Sequence, residues 1–302
     1  MKKVIFCAAA LMMGAVGLAQ TTPTPPSAPQ NAIDLTTNQP ALSPTANRSK
    51  SMQNGASNKV AVTQIGTSQN AYSDQDGFGN QGIIEQTGNV AGGTSGEKNM
   101  AELYQRGTLN QSNQMQYGDE NESLVEQGAT NNASTGNRAL AQQGSSTAQQ
   151  AQNNKLEISQ DGIGNQARTH QRYDNNEALT DQDGDLNYAD IFQNAQPNQS
   201  DGHTAEVDQD GLLNDAWVRQ DGLGGRNAAT ALQNGTGNYS DQVQWSTDNT
   251  DFADSNNALV AQGTNAGNLM AFNIDQYMQA NVDNYNMGNG SASVGNRAFQ
   301  DQ

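Results

Sequence analysis

The chain of 302 residues has one cysteine, Cys7, two histidines, and seven prolines, of which six fall before residue 45. Aromatic residues make up 5% of it, hydrophobic residues 33%, and the mean hydropathy is −0.80. Each shortage excludes something. With Cys7 inside the first twenty residues, disulfides cannot staple the remainder. So few large apolar side chains cannot close a thick hydrophobic core, and such a composition points to disorder unless something specific opposes it. Basic residues number 14 against 31 acidic ones. That balance lacks the basic footprint of a nucleic-acid binder. No later apolar stretch is long enough to cross a bilayer, so no stable membrane insertion is expected.

Lys2 and Lys3, the apolar run 4–13 and the small residues Gly17 and Ala19 read as a secretory signal peptide over 1–19, cleaved before Gln20. Export to the cell exterior follows as an expectation, with a net charge of about −19 after cleavage. Residues 20–57, rich in Pro, Thr and Ser, read as a disordered linker.

From residue 58 onward only Pro197 remains, which suits a chain made mostly of strands. Gln160, Gln171, Gln182 and Gln193 are spaced by eleven, as are Asn165, Asn176 and Asn187. The unit is Asn-x-small-x-apolar-x-Gln, then usually x-Gly-x-x, then Asn again. Clear copies start at Asn80, Asn99, Asn110, Asn121, Asn154, Asn165, Asn176, Asn187, Asn214, Asn227, Asn238 and Asn256. Looser ones start at Asn58, Gln69, Asn137, His203 and Asn296. Seven residues of period two make a strand, and the Gly-containing remainder makes a tight turn. In 203–220 Ala205, Val207, Gln209, Asn214, Ala216, Val218 and Gln220 share one face, and every charge lies on the other. A disordered Asn/Gln tract has no reason for such order.

Units eleven long stack either as an antiparallel meander or as a solenoid with two strands per rung of about 22 residues. Identity at spacing 22 favours the all-β solenoid, placing Gln160 over Gln182, Asn165 over Asn187 and Gln171 over Gln193. Side-chain amides then donate to one neighbouring rung and accept from the other, forming a ladder. The expected ladder comprises Gln160, Asn165, Gln171, Asn176, Gln182, Asn187, Gln193, Gln209, Asn214 and Gln220, with turn glycines Gly162, Gly184, Gly211 and Gly222. Segments near 88–98, 129–136, 194–202 and 245–255 read as rim-loop insertions, and 58–302 as roughly eleven rungs.

The string Gln-x-Gly-x-x-Asn-x-Ala-x-x-x-Gln occurs at 160–171, 182–193 and 209–220, and with single substitutions at six further places. It resembles the repeat of curlin proteins, subunits of the curli fibres of bacterial surfaces. The resemblance implies export through a dedicated outer-membrane channel with accessory chaperones. It also implies a nucleator subunit and polymerisation of the chain with itself into a biofilm-matrix fibre.

Other chemistries find less support. No nucleophile–base spacing, phosphate loop or zinc pattern is present, so no catalytic residue, cofactor or metal ligand is assigned. Asp181-x-Asp183-x-Asp185 begins like a calcium loop, but Leu186 stands where Gly is needed and no Glu closes it. His170 falls on an outward face and His203 in an Asn slot. The closing stretch NRAFQDQ is itself a repeat strand. Asn296, Ala298, Gln300 and Gln302 share a face expected to template a further molecule. The competing reading is a monomeric secreted module that binds surfaces through its outer faces.

Overall fold

A computed structural model describes residues 46–88, 98–128, 134–145, 151–195, 202–222, 227–246, 257–262, 284–287, 293–294 and 297–301. Strands numbered in chain order alternate between two parallel sheets. An 11-stranded sheet stacks β1 (Arg48–Ala56), β3 (Asn70–Phe78), β5 (Met100–Thr108), β7 (Glu122–Gln127), β10 (Lys155–Ile163), β12 (Glu177–Asp185), β14 (Thr204–Leu212), β16 (Ala228–Thr236), β18 (Asn257–Gln262) and β19 (Asn284–Met287), with β20 (Ser293–Val294) beside β16. A 10-stranded sheet stacks β2 (Lys59–Ile65), β4 (Gln81–Thr87), β6 (Gln111–Asp119), β8 (Arg138–Gln143), β11 (Gln166–Arg172), β13 (Tyr188–Asn194), β15 (Asp215–Gly222), β17 (Tyr239–Ser246) and β21 (Arg297–Asp301), with β9 (Ala151–Gln152) beside β6. The fold is a β-solenoid of two-strand rungs, and all seventeen repeat copies read from the sequence precede a strand.

Register follows the repeat. Gln160 pairs with Gln182 and Gln182 with Gln209, while Ala167 pairs with Ala189 and Ala189 with Ala216. Period-two burial places the small and apolar slots between the sheets. Ala101, Leu103, Val125, Ile158, Ile191, Val207 and Ala216 are buried there. Each rung supplies only four such side chains, and bulk on one sheet is offset on the other. Thr180 faces Ile191 across rung six, Ile158 faces Thr169 across rung five, and Leu103 reaches into the space beside Gly82. A core this thin is what the sparse apolar content allows.

Two expectations need correction. The solenoid begins at Arg48, not at residue 58: Asn47-x-Ser49-x-Ser51-x-Gln53-x-Gly55-x-x-Asn58 is a full copy inside the segment assigned to the linker. The described residues also hold fewer than the expected eleven rungs. Eight complete two-strand rungs lie between Arg48 and Ser246, and β18 and β21 continue the two sheets. The count fails because insertions stretch some rungs: successive glutamines of the first sheet lie 22 to 33 residues apart. Most of the four expected rim segments, and the expected signal peptide, lie outside the described residues. Two further breaks, 146–150 and 223–226, were not anticipated and are also undescribed.

Candidate assembly site

Glutamine recurs at the sixth position of the repeat strands, where it faces inward at the sandwich margin and an amide must find partners or forfeit the cost of leaving water. In the first sheet Nε2 of Gln53 donates to Oε1 of Gln75 at 2.7 Å. The same bond then links Gln75 to Gln105, Gln127, Gln160, Gln182, Gln209, Gln233 and Gln262 at 2.6–2.9 Å. A second column runs through Gln64, Gln86, Gln116, Gln143, Gln171, Gln193, Gln220 and Gln244 at 2.8–3.1 Å. Each donor points toward the rung that follows in sequence, so both columns are polar. The other amide hydrogen crosses the sandwich to a backbone carbonyl: Gln182 Nε2 to Gln166 O at 3.1 Å and Gln193 Nε2 to Glu177 O at 2.9 Å. Each of these glutamines therefore fastens its own sheet and ties it to the opposite one.

Asparagine forms the expected amide-on-amide contact in part, with Nδ2 donating to the stacked Oδ1 from Asn121 to Asn99, Asn154 to Asn121, Asn176 to Asn154 and Asn238 to Asn214 at 2.9–3.1 Å, and adds bonds to backbone. Its Oδ1 accepts the backbone N–H of the Asn in the next rung, as in Asn187 N to Asn165 Oδ1 at 2.9 Å and Asn176 N to Asn154 Oδ1 at 2.8 Å. Its Nδ2 turns back to clamp the arch: Asn165 donates to Asp161 O at 2.8 Å and to Gly184 O at 2.7 Å, and Asn214 to Asp210 O and Gly235 O at 3.3 Å each. A shorter side chain that starts at the turn reaches backbone more readily than its stacked neighbour. His203 takes the same place. Its backbone N–H donates to Asn176 Oδ1 at 3.0 Å, its Nδ1 accepts from Asn227 N–H at 3.2 Å, and its Nε2 lies 3.3 Å from Asn194 O. Burial holds its pKa down to about 4.

Gly162, Gly184 and Gly211 have φ of +104°, +118° and +121°, and a Cβ on Gly184 would sit 2.1 Å from Gly211 O. Both the dihedral and the close stacking demand glycine. Gly222 is not of this set: it ends β15 in register with Ser246, and the turn after it lies outside the described residues. Of the expected templating strand, Ala298 and Gln300 lie in β21, in register with Ser240 and Gln242 of β17, whereas Asn296 and Gln302 fall outside the described residues.

At the opposite end of the stack the sequence reading missed the informative rung. Among the described residues β1 pairs only with β3, and β2 only with β4. Arg48 N–H and Lys59 N–H donate inward to Gln69 O and Asn80 O. Alternation along a parallel strand then turns the N–H groups of Ser49, Ser51, Gln53, Val60, Val62 and Gln64 toward the open side. Asn47, Gln53, Gly55 and Asn58 in phase, with Ser49 in the small slot and Ser51 in the apolar slot, were the available signal.

The outer faces differ. Asp181, Asp183 and Asp185 alternate along one strand, no group of three or more His, Cys, Asp or Glu placed to hold a metal ion is found among the described residues, and Asp185 Oδ1 accepts from Ile163 N–H at 2.9 Å. The second sheet carries Tyr188 against Trp217 at 5.2 Å and His170 edge-on to Phe192 at 5.3 Å. The guanidinium groups of Arg172 and Arg219 lie over Phe192 at 5.2 and 5.6 Å. No family model, no curated protein and no solved structure matches the chain.

Proposed function

We propose that the protein is the structural subunit of a secreted, curli-like amyloid fibre. In this reading it is a polymer of itself at the cell surface, serving attachment and biofilm cohesion rather than catalysis. The observation that carries the reading is the pair of polar glutamine columns that end at a first rung with no further strand on it among the described residues. That rung offers outward N–H groups and the Oε1 atoms of Gln53 and Gln64 to the far end of another copy. Each junction then repeats the bonds found within the molecule, with the same polarity throughout. The curlin-like repeat supports the reading and supplies its expected partners: an outer-membrane secretion channel, accessory chaperones and a nucleating subunit. The dense negative charge of the chain slows the same association before export.

Ser51→Pro with Val62→Pro tests it. Each substitution removes an outward N–H while sparing the bonds to β3 and β4. The double variant should keep a folded spectrum yet add to wild-type seeds at least tenfold more slowly in a thioflavin-T assay. Equal growth rates, or a wild-type chain that stays monomeric for days at neutral pH, contradict the reading and favour the surface-binding module.

A further inference from the structure

The two outer faces of rungs five to seven carry opposite chemistry on opposite sides of one sandwich. On the first sheet, register aligns Asp161, Asp183 and Asp210 in one column and Asp181 with Asp208 in the next, with Glu206 beside them. Crowding is severe enough that burial, then Asp181, Glu206, Asp210 and Asp183, push the Asp208 carboxyl up to about 6. Burial, then Asp210, Asp161 and Asp181, likewise push Asp183 up. On the second sheet Arg168, Arg172 and Arg219 cluster around Phe192 and the 40%-exposed Trp217. The two ion pairs found among the described residues are both here, Arg168 with Asp190 at 3.6 Å and Arg219 with Asp221 at 2.7 Å. Both arginine side chains remain about half exposed, at 47% and 56%.

We propose that the acidic face of the first sheet docks on the arginine–aromatic face of the second sheet of another copy, joining solenoids side by side. The occupant is a second copy because complementarity selects it. Two first-sheet faces repel, two second-sheet faces meet with arginines that already have Asp190 and Asp221 beside them, and the mixed contact sets the acidic surplus of one copy against the guanidinium groups of another. Rung spacing is common to both faces, so the match repeats along the stack. The interface is heterologous, and every copy keeps one face of each kind free, so association runs on into open ribbons instead of closing as a dimer.

Area sets the strength. Three rungs at about 4.8 Å by seven residues at about 3.3 Å give roughly 330 Å² a side, about 660 Å² over both sides. That total is below the ~1,200 Å² of a stable complex, so single chains pair weakly. Filaments, which present the contact once per subunit, pair strongly. In this respect the inference rests on the fibre reading.

Electron microscopy of the full mature chain, assembled at 50 and 500 mM NaCl, tests it, with thioflavin-T growth on the same samples reporting end-to-end stacking separately. Wild type should form ribbons several filaments wide at low salt that separate at high salt. Arg168→Asp with Arg172→Asp and Arg219→Asp should give single filaments at an unchanged growth rate. The same holds for Asp181→Arg with Asp183→Arg and Asp208→Arg. All six changes in one chain should restore the ribbons. Equal widths for wild type and the triple variants, or no recovery in the sixfold variant, overturn the proposal. If no variant elongates, the fibre reading fails. Sedimentation of the same chain near millimolar concentration then decides: a salt-sensitive self-association of wild type absent from the triple variants upholds the proposal, and its absence overturns it.

Discussion

At the scale of single residues the glutamine column makes the sharpest demands. Gln182→Leu conserves bulk and adds apolar surface, yet it removes three bonds at once, leaving Gln209 Oε1 without its donor, one Nε2 hydrogen of Gln160 without its acceptor, and Gln166 O without its tie across the sandwich. At about 1 kcal/mol or more for each buried group, the loss should reach at least ~3 kcal/mol in the urea unfolding of the soluble chain. A loss under ~1 kcal/mol would show that the amides are ornament. Glycines divide in the same manner. Gly184→Ala drives a Cβ onto Gly211 O, whereas a Cβ at Gly136 (φ +71°) meets nothing within 4 Å. The first should cost several times the ~1 kcal/mol of the second, read as paired melting temperatures. Acid acts on residues with two signs. Neutral His203 and His170 are held at about 4, below their unfolded value near 6.5, so their contribution is whole above pH 6.5 and declines as pH falls toward 4. Asp208 and Asp215 are raised to about 6, so the fold carries their charge reluctantly at pH 7 and gains as pH falls through 6. His203→Asn, which preserves the column, should therefore raise the melting temperature more at pH 5 than at pH 7; an equal rise at both would refute the assignment.

At the scale of elements the alternation of buried and exposed positions decides what a strand tolerates. Thr169 and Thr180 are fully buried, and their hydroxyls have no hydrogen-bond partner. Replacing both by valine, nearly isosteric, should raise the melting temperature by several degrees. No change would mean the hydroxyls are satisfied. Strands and register were legible because period two and period eleven are local signals, repeated until chance was excluded. Alignment of Ala167 with Ala189 needed nothing but counting, whereas Ala216 stacks on Ala189 at a spacing of 27 that counting by 22 does not give. Asparagine chemistry was legible only in part: the stacked amide bond forms from Asn176 to Asn154, but sequence position does not say that Nδ2 of Asn165 or Asn214 meets turn carbonyls instead. The strand at Arg48–Ala56 was hidden by nearby prolines: composition averaged over a window overrode a repeat within it. Rung number escaped for a related reason, since insertions lengthen the spacing without altering the pattern on either side.

At the scale of the whole molecule the architecture is a stack with direction, held by bonds that do not distinguish one chain from the next. Hydrophobic burial ends at a surface, but a column of amides ends only where rungs run out. Such an object meets its like at its ends through backbone and amide, and along its sides through charge. These two modes respond differently to salt: ionic strength should disperse ribbons while leaving elongation intact or faster, because screening weakens exposed charge pairs and also the repulsion between acidic chains. High-resolution electron cryomicroscopy of the assembled full-length protein tests the central claim most directly. The account predicts layers about 4.8 Å apart, with unbroken glutamine columns crossing from one chain into the open first rung of the next. Antiparallel layers in the fibre, or columns interrupted at each chain boundary, would contradict it.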